Sequence, residues 1–161
     1  MTCSSPFMPV VQSRITKTKS PSDVRVLSIR QPWAWLIVNG YKDVENRTWS
    51  TTYRGVLFIH ASSKKPSADL LSGVKRDFRI KIPEHYELGG IVGIAELVDC
   101  VRASRSRWMP GPIGWKLTNA RPLPFLPVRG KLGLFRPSEQ DMAQLNKRFA
   151  VRRLMTTPGL N

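Results

Sequence analysis

Leu27-Ser28-Ile29-Arg30-Gln31-Pro32-Trp33-Ala34, followed shortly by Gly40-Tyr41-Lys42-Asp43-Val44-Glu45-Asn46-Arg47, is the stretch on which the fold turns. Over Val24–Arg30, Val24, Val26, Ser28 and Arg30 alternate with Arg25, Leu27 and Ile29, as along a β-strand. Pro32 suits the first turn of a helix and Gly40 its C-terminal stop, which bounds a short helix over Trp33–Asn39. Within it Trp33, Leu36 and Ile37 share a core-facing phase, whereas Trp35 points elsewhere. A positive φ at Gly40 would end the helix and turn the chain at once into a second strand, Lys42–Trp49. That strand is unusual. One face carries Val44, Asn46 and Thr48, the other Asp43, Glu45, Arg47 and Trp49, so neither is apolar and burial alone does not account for it. A polar functional cleft is one explanation; a bracing ion pair of Glu45 with Arg47 or Lys42 is the other.

Working outward, Val56–Ala61 is an apolar strand containing His60, and Ser67–Phe78 is an amphipathic helix with Leu70, Leu71, Val74 and Phe78 on one face. Ile91–Val101 is a strand that carries Glu96 in an otherwise apolar run. Ile113–Leu117 and Val128–Phe135 complete the strands, with a proline-rich loop over Pro122–Pro127 between them. Ser138–Leu154 opens with Ser138-Glu139-Gln140-Asp141 and is expected to be one capped helix. Five or six strands with two or three helices make an α+β protein, a small mixed barrel or an open sandwich. Residues 1–23, rich in Ser, Pro and Thr, are expected to form a disordered basic arm, 24–136 the folded domain and 137–161 a helical extension.

The 161-residue chain has 26 Lys and Arg against 11 Asp and Glu, a formal charge of +15. Residues 24–136 hold 19 of the basic and 8 of the acidic residues, so +11 belongs to the folded part. A basic globular surface attracts polyanions, and nucleic acid is the expected partner class. No apolar run approaches the roughly 20 residues of a membrane span, and Phe7–Val11 is too short for a signal peptide, so no membrane association is expected. Cys3 and Cys100 form no CxxC and have no His at metal-ligand spacing. Neither a disulfide framework, a metal site nor a cofactor is expected, and a reducing cytoplasmic location fits. No P-loop, GxSxG or HExxH is present.

The ordered series Gly40, Lys42, Glu45 and Arg47 fills every fixed position of GxKxxExR, and the chain resembles the ASCH domain family. The resemblance continues through Tyr53-Arg54-Gly55, Ile59-His60-Ala61-Ser62, Gly90-Ile91-Val92-Gly93, Gly111-Pro112-Ile113-Gly114-Trp115 and Lys131-Leu132-Gly133-Leu134-Phe135. It implies a PUA-like β-barrel flanked by helices, with a cleft between barrel and helices. Proteins of this superfamily bind RNA or read modified bases; ASCH-like proteins include nucleic-acid binders, a ribonuclease type and amidohydrolases of acetylated cytidine.

The expected site follows from the motif. Lys42, Glu45 and Arg47 form an ammonium, carboxylate and guanidinium set, in which Arg47 or Arg30 could hold a phosphate in bidentate fashion. Catalysis, if any, would be metal-independent hydrolysis resting on Lys42 with Glu45 and Glu96, either ribonuclease cleavage or removal of an acyl group. The amidohydrolase subgroup has Thr at the position of Glu45, a departure that counts against the second chemistry. Nucleic-acid contacts are expected from Arg30, Lys42, Arg47, Trp35, Trp49, Tyr53, Arg54, Arg105 and Arg107, because aromatic faces beside cations suit unstacked bases. One or two of the six aromatics Trp33, Trp35, Trp49, Tyr53, Trp108 and Trp115 should face the cleft, Trp35 and Trp49 being favoured by phase. His60 reads as a satisfied core or cleft-wall histidine. RNA, single-stranded or locally unpaired, is the leading partner; DNA and a modified nucleoside are the alternatives, and oligomeric state is left open.

Overall fold

Alternation over the first ordered segment produces β1 (Arg25–Ile29), and the Pro32–Gly40 punctuation produces α1 (Trp33–Val38). A computed structural model describes residues 23–156; the arm expected over residues 1–23 lies outside the described residues except for Asp23. Pro32 follows a cis peptide and occupies the N-cap of α1. The capping work falls to buried Gln31, whose Oε1 accepts from Trp35 N at 3.0 Å while its Nε2 donates to Glu87 O at 3.1 Å. Gly40 has φ +78°, the left-handed turn that redirects the chain into β2 (Val44–Arg47).

The remaining elements are β3 (Gly55–Ala61), α2 (Ala68–Phe78), β4 (Gly90–Val101), β5 (Ile113–Pro127), β6 (Leu134–Phe135), α3 (Glu139–Phe149) and α4 (Val151–Thr156). The strands form one sheet in the order β2-β5-β4-β3-β1-β6, parallel only between β1 and β3. Arg47 on β2 donates from Nη2 to Ser28 O on β1 at 2.9 Å, although three strands separate them in the sheet. The sheet is therefore curled into a half-barrel, an α+β architecture.

Three expectations are corrected. Pro122–Pro127 is not a loop but the second half of β5, paired with β4 through Gly93↔Pro122 and Gly90↔Pro127. Because β2 covers β5 only at Ile113–Lys116, this half is a sheet edge, where the missing proline N–H costs no ladder bond. The last strand correspondingly shrinks from Val128–Phe135 to Leu134–Phe135, and residues 128–133 become a loop. The single C-terminal helix is two helices, broken at Ala150, which has φ +47°. Its start is as expected: Ser138 and Asp141 form a reciprocal capping box.

Three apolar clusters hold the molecule. One fills the curl, with Leu27, Ile29, Leu57, Ile59, Leu97 and Trp115 packed under Ala34, Ile37 and Val38 of α1. A second lies on the other face of the sheet, where Leu145 of α3 and Val151 of α4 cover Val26, Phe58 and Ile94. The third joins α1, α2 and the β4–β5 loop through Leu36, Val74, Ile80 and Trp108. Trp115 is wholly buried, and truncation to Ala would cost about 3–5 kcal/mol.

Candidate functional site

At the mouth of the curl, where the end of β1 meets α1 and β2, lies a cleft of about 680 Å³. β1 delivers Ser28, and Arg30 is the residue just after its end; α1 delivers Trp33, and the Gly40 hinge and β2 deliver Lys42, Glu45, Asn46 and Arg47. Phe78 comes from the end of α2; Arg107 and Trp108 come from the β4–β5 loop. That loop is fixed by β2: Asn46 Nδ2 donates to Trp108 O at 2.6 Å, and Asn46 Oδ1 accepts from Gly111 N at 3.2 Å. Ser106 Oγ donates to Asp43 Oδ1 at 2.6 Å, a second tie between the same elements.

The polar set of β2 is internally linked. Lys42, only 4% exposed, donates from Nζ to Val44 O and to Glu45 Oε2, the latter at 2.7 Å. The other carboxylate oxygen of Glu45 meets Arg47 Nη2 at 3.3 Å. Glu45 thus bridges both cations, while Arg47 Nε is a buried donor with no partner among the described residues. Arg30 is exposed and makes no side-chain hydrogen bond or ion pair among the described residues. Arg107 lies 5.1 Å over both Phe78 and Trp108, which stack on each other with centroids 3.9 Å apart; Trp33 meets Trp108 edge-on at 6.2 Å. Four cations and one carboxylate therefore line an aromatic-walled cleft.

Of the residues expected at the site, the structure brings together Arg30, Lys42, Glu45, Arg47 and Arg107. It places the others elsewhere. Glu96 stands on the opposite face of β4 from Ala95 and Leu97, where it accepts from Asn119 Nδ2 at 2.9 Å, so it forms no pair with Lys42. Trp35 stacks on Tyr41 at 5.5 Å, away from the cleft. Trp49 packs edge-on against Trp115 at 4.7 Å, near the rim but not in the lining. Tyr53 is core: its hydroxyl donates to Val56 O at 2.6 Å, and burial, helped by the charge of Asp23, pushes the phenol up to about 12. Arg54 donates to Thr51 O and Asp99, and Arg105 is exposed on the β4–β5 loop outside the cleft. The two cleft-facing tryptophans are Trp33 and Trp108. Phase favoured Trp35 because it assumed that core and cleft lie on opposite sides of α1. In fact the cleft opens directly above the core, so the core-facing Trp33 is also its wall.

A second recess of about 430 Å³ adjoins the first and shares Ser28, Ser62 and Leu132 with it. His60 lies in its wall, 2% exposed. Since a carbonyl can only accept, His60 Nε2–H donates to Val128 O at 2.9 Å, which leaves the Nδ1 lone pair facing Ser28 Oγ at 3.2 Å. Burial lowers the imidazole below its ordinary value, against the opposing pull of the Val128 bond. Among the described residues no group of three or more His, Cys, Asp or Glu side chains is placed to hold a metal ion.

Over 81 residues the chain is 41% identical to activating signal cointegrator 1 of Homo sapiens and 40% identical to that of Mus musculus. The match covers 47% of this chain and 14% of each relative, so the chain spans a small part of those proteins. Among solved structures, the ASCH protein of Zymomonas mobilis is 13% identical, with a TM-score of 0.47 over 88% of this chain and all of that one. A mutant form of it is 14% identical, with a TM-score of 0.49 over 79% and 96%. The family model for the ASCH domain matches residues 27–140, from the middle of β1 into the first turn of α3. The chain belongs to the ASCH domain family.

Proposed function

We propose that the cleft binds an unstacked base of single-stranded or locally unpaired RNA. The observation that carries this reading is the lining itself: Trp33 and Phe78 offer ring surface backed by buried Trp108, while Arg30 and Arg107 offer donors that the protein leaves unused or only ring-stacked. A cleft of this size accommodates a nucleoside, and sites for small ligands run to about 300–1,000 Å³. Stacking on aromatic faces contributes about 1–3 kcal/mol per base and is available only to bases outside a duplex. The test is titration of labelled RNA, DNA of the same sequence and the matching duplexes with the parent and with Arg30→Ala and Arg107→Ala. Single-stranded RNA should bind tightest, and each variant should weaken it about tenfold, the effect of one charge-assisted hydrogen bond or cation–π contact. Duplex binding as tight as single-stranded, or unchanged affinity in both variants, overturns the reading. Preference for DNA or for a modified nucleoside would reassign the ligand while keeping the cleft.

A hydrolytic reading has a specific observation of its own. Ser28 Oγ faces a histidine whose ring a backbone carbonyl orients, an arrangement of nucleophile, base and orienting group at the seam of the two recesses. Lys42, with two acceptors on its ammonium and no Glu96 beside it, is the weaker candidate. Turnover of RNA and of acetylated cytidine in EDTA, compared across parent, Ser28→Ala and Lys42→Ala, decides it: activity should vanish in the serine variant. Activity that survives Ser28→Ala removes this reading.

A further inference from the structure

We propose that the second recess is a phosphate subsite, which takes the phosphate attached to the nucleoside in the first cleft. This inference rests on the nucleoside-binding reading above and adds a site to it. The two recesses meet along Ser28, Ser62 and Leu132 and form one trough. Their linings differ in chemistry. Trp33, Phe78 and Trp108 wall the first; the second has no tryptophan, tyrosine or phenylalanine and is lined by glycines, serines and the cations Arg129 and Lys131.

No Asp or Glu lines the second recess, and neither Arg129 nor Lys131 has an ion-pair partner among the described residues. Two unpaired cations converging on a concavity without a counter-charge form an anion site. Hydrogen-bond accounting supports the same conclusion. The Ser28 hydroxyl proton is committed to His60 Nδ1, but Ser62 Oγ is buried at the seam with no partner among the described residues. A buried hydroxyl left unpaired costs free energy that an acceptor oxygen would recover. A phosphate placed there would satisfy Ser62 and face Arg129 and Lys131 at once.

The loop that forms this wall is held to the barrel. Val128 N donates to Gly89 O at 3.3 Å, Val128 O accepts from His60, and Gly133 O accepts from Ser28 N at 3.2 Å. Gly130 packs on the imidazole so closely that a Cβ there would stand 2.4 Å from Cε1. Leu132, shared by both recesses, is 99% exposed.

The experiment measures the affinities of cytidine, its 5′- and 3′-monophosphates and a cytidine dinucleotide at fixed ionic strength. It compares the parent with Arg129→Ala/Lys131→Ala and with Lys147→Ala/Arg148→Ala, which removes equal charge from exposed positions on α3. In the parent one phosphate should tighten binding by about tenfold or more, as one charge-assisted hydrogen bond does. The loop variant should lose most of that gain while still binding cytidine, and the α3 variant should keep it. Ser62→Ala should lose part. Gain with a monophosphate and none beyond it with the dinucleotide identifies a free nucleotide as the source; further gain with the dinucleotide identifies a chain phosphodiester. A gain that survives in the loop variant, or falls equally in both variants, overturns the subsite while leaving the cleft reading intact. Failure of every ligand, cytidine and dinucleotide alike, overturns both.

Discussion

Glu45 ties the polar strand together and stands in the cleft wall while doing so. Its two oxygens neutralise buried Lys42 and half-buried Arg47, which would otherwise stand as adjacent cations. Removal of one partner of such a set leaves uncompensated charge, so Glu45→Ala should cost about 3–5 kcal/mol in urea unfolding. Lys42→Met alone should cost less, and the double variant less than the sum, a coupling a double-mutant cycle reads directly. Glu45 and Lys42 thus form an ion pair that braces the strand, whereas Arg107 has ring contacts and Arg30 has no hydrogen-bond or ion-pair partner among the described residues. His60 supports a second prediction. Its imidazole is depressed in the fold chiefly by burial, so the unfolded chain binds protons first on acidification. Its contribution is full above the unfolded value of 6.5 and is lost as pH falls through the lower folded value. Urea midpoints of the parent should therefore decline on acidification through that window; His60→Asn should show a shallower decline.

At the level of elements, what could be read from sequence was what local backbone chemistry dictates. Gly40 announced the hinge, Ser67 and Ser138 announced helix starts, and the lack of an apolar face marked β2 as special. What escaped depends on neighbours far along the chain. The prolines of β5 read as a loop because nothing local tells that β2 stops pairing at Lys116 and leaves an edge. The break at Ala150 escaped because no glycine marks it, although its φ of +47° is the conformation glycine adopts freely. Ala150→Gly should therefore stabilise the protein by about 0.5–1 kcal/mol by relief of left-handed strain, seen as a raised denaturation midpoint. The clamp by Asn46 also escaped: it joins β2 to a loop more than sixty residues later and gives no sequence signal. Asn46→Ala frees the Trp108 carbonyl and the Gly111 amide and should cost about 1–3 kcal/mol. Faster hydrogen exchange at Gly111, with β3 unaffected, would locate that loss in the loop.

Over the whole molecule, charge is plentiful and position gives it meaning. Of the +15, +11 lies within residues 24–136, yet many of those cations are occupied: Arg25 with Asp23, Arg54 with Asp99, Arg76 with Asp77. Arg30, Arg107, Arg129 and Lys131 instead gather along the trough formed by the two recesses. A diffuse positive field and a defined track predict different salt behaviour. Counterion release lowers log K against log salt by about 0.7 for each phosphate engaged on a single strand, so the slope counts the phosphates that the trough holds. Removal of one track cation, as in Arg30→Ala, should flatten the slope by about 0.7, whereas Lys147→Ala on α3 should leave it unchanged. Were the field diffuse, the two substitutions would act alike, because each removes one unit from the same total. Affinity measured for both variants across a tenfold range of salt separates the two cases, and equal flattening would mean that the trough does not direct the strand.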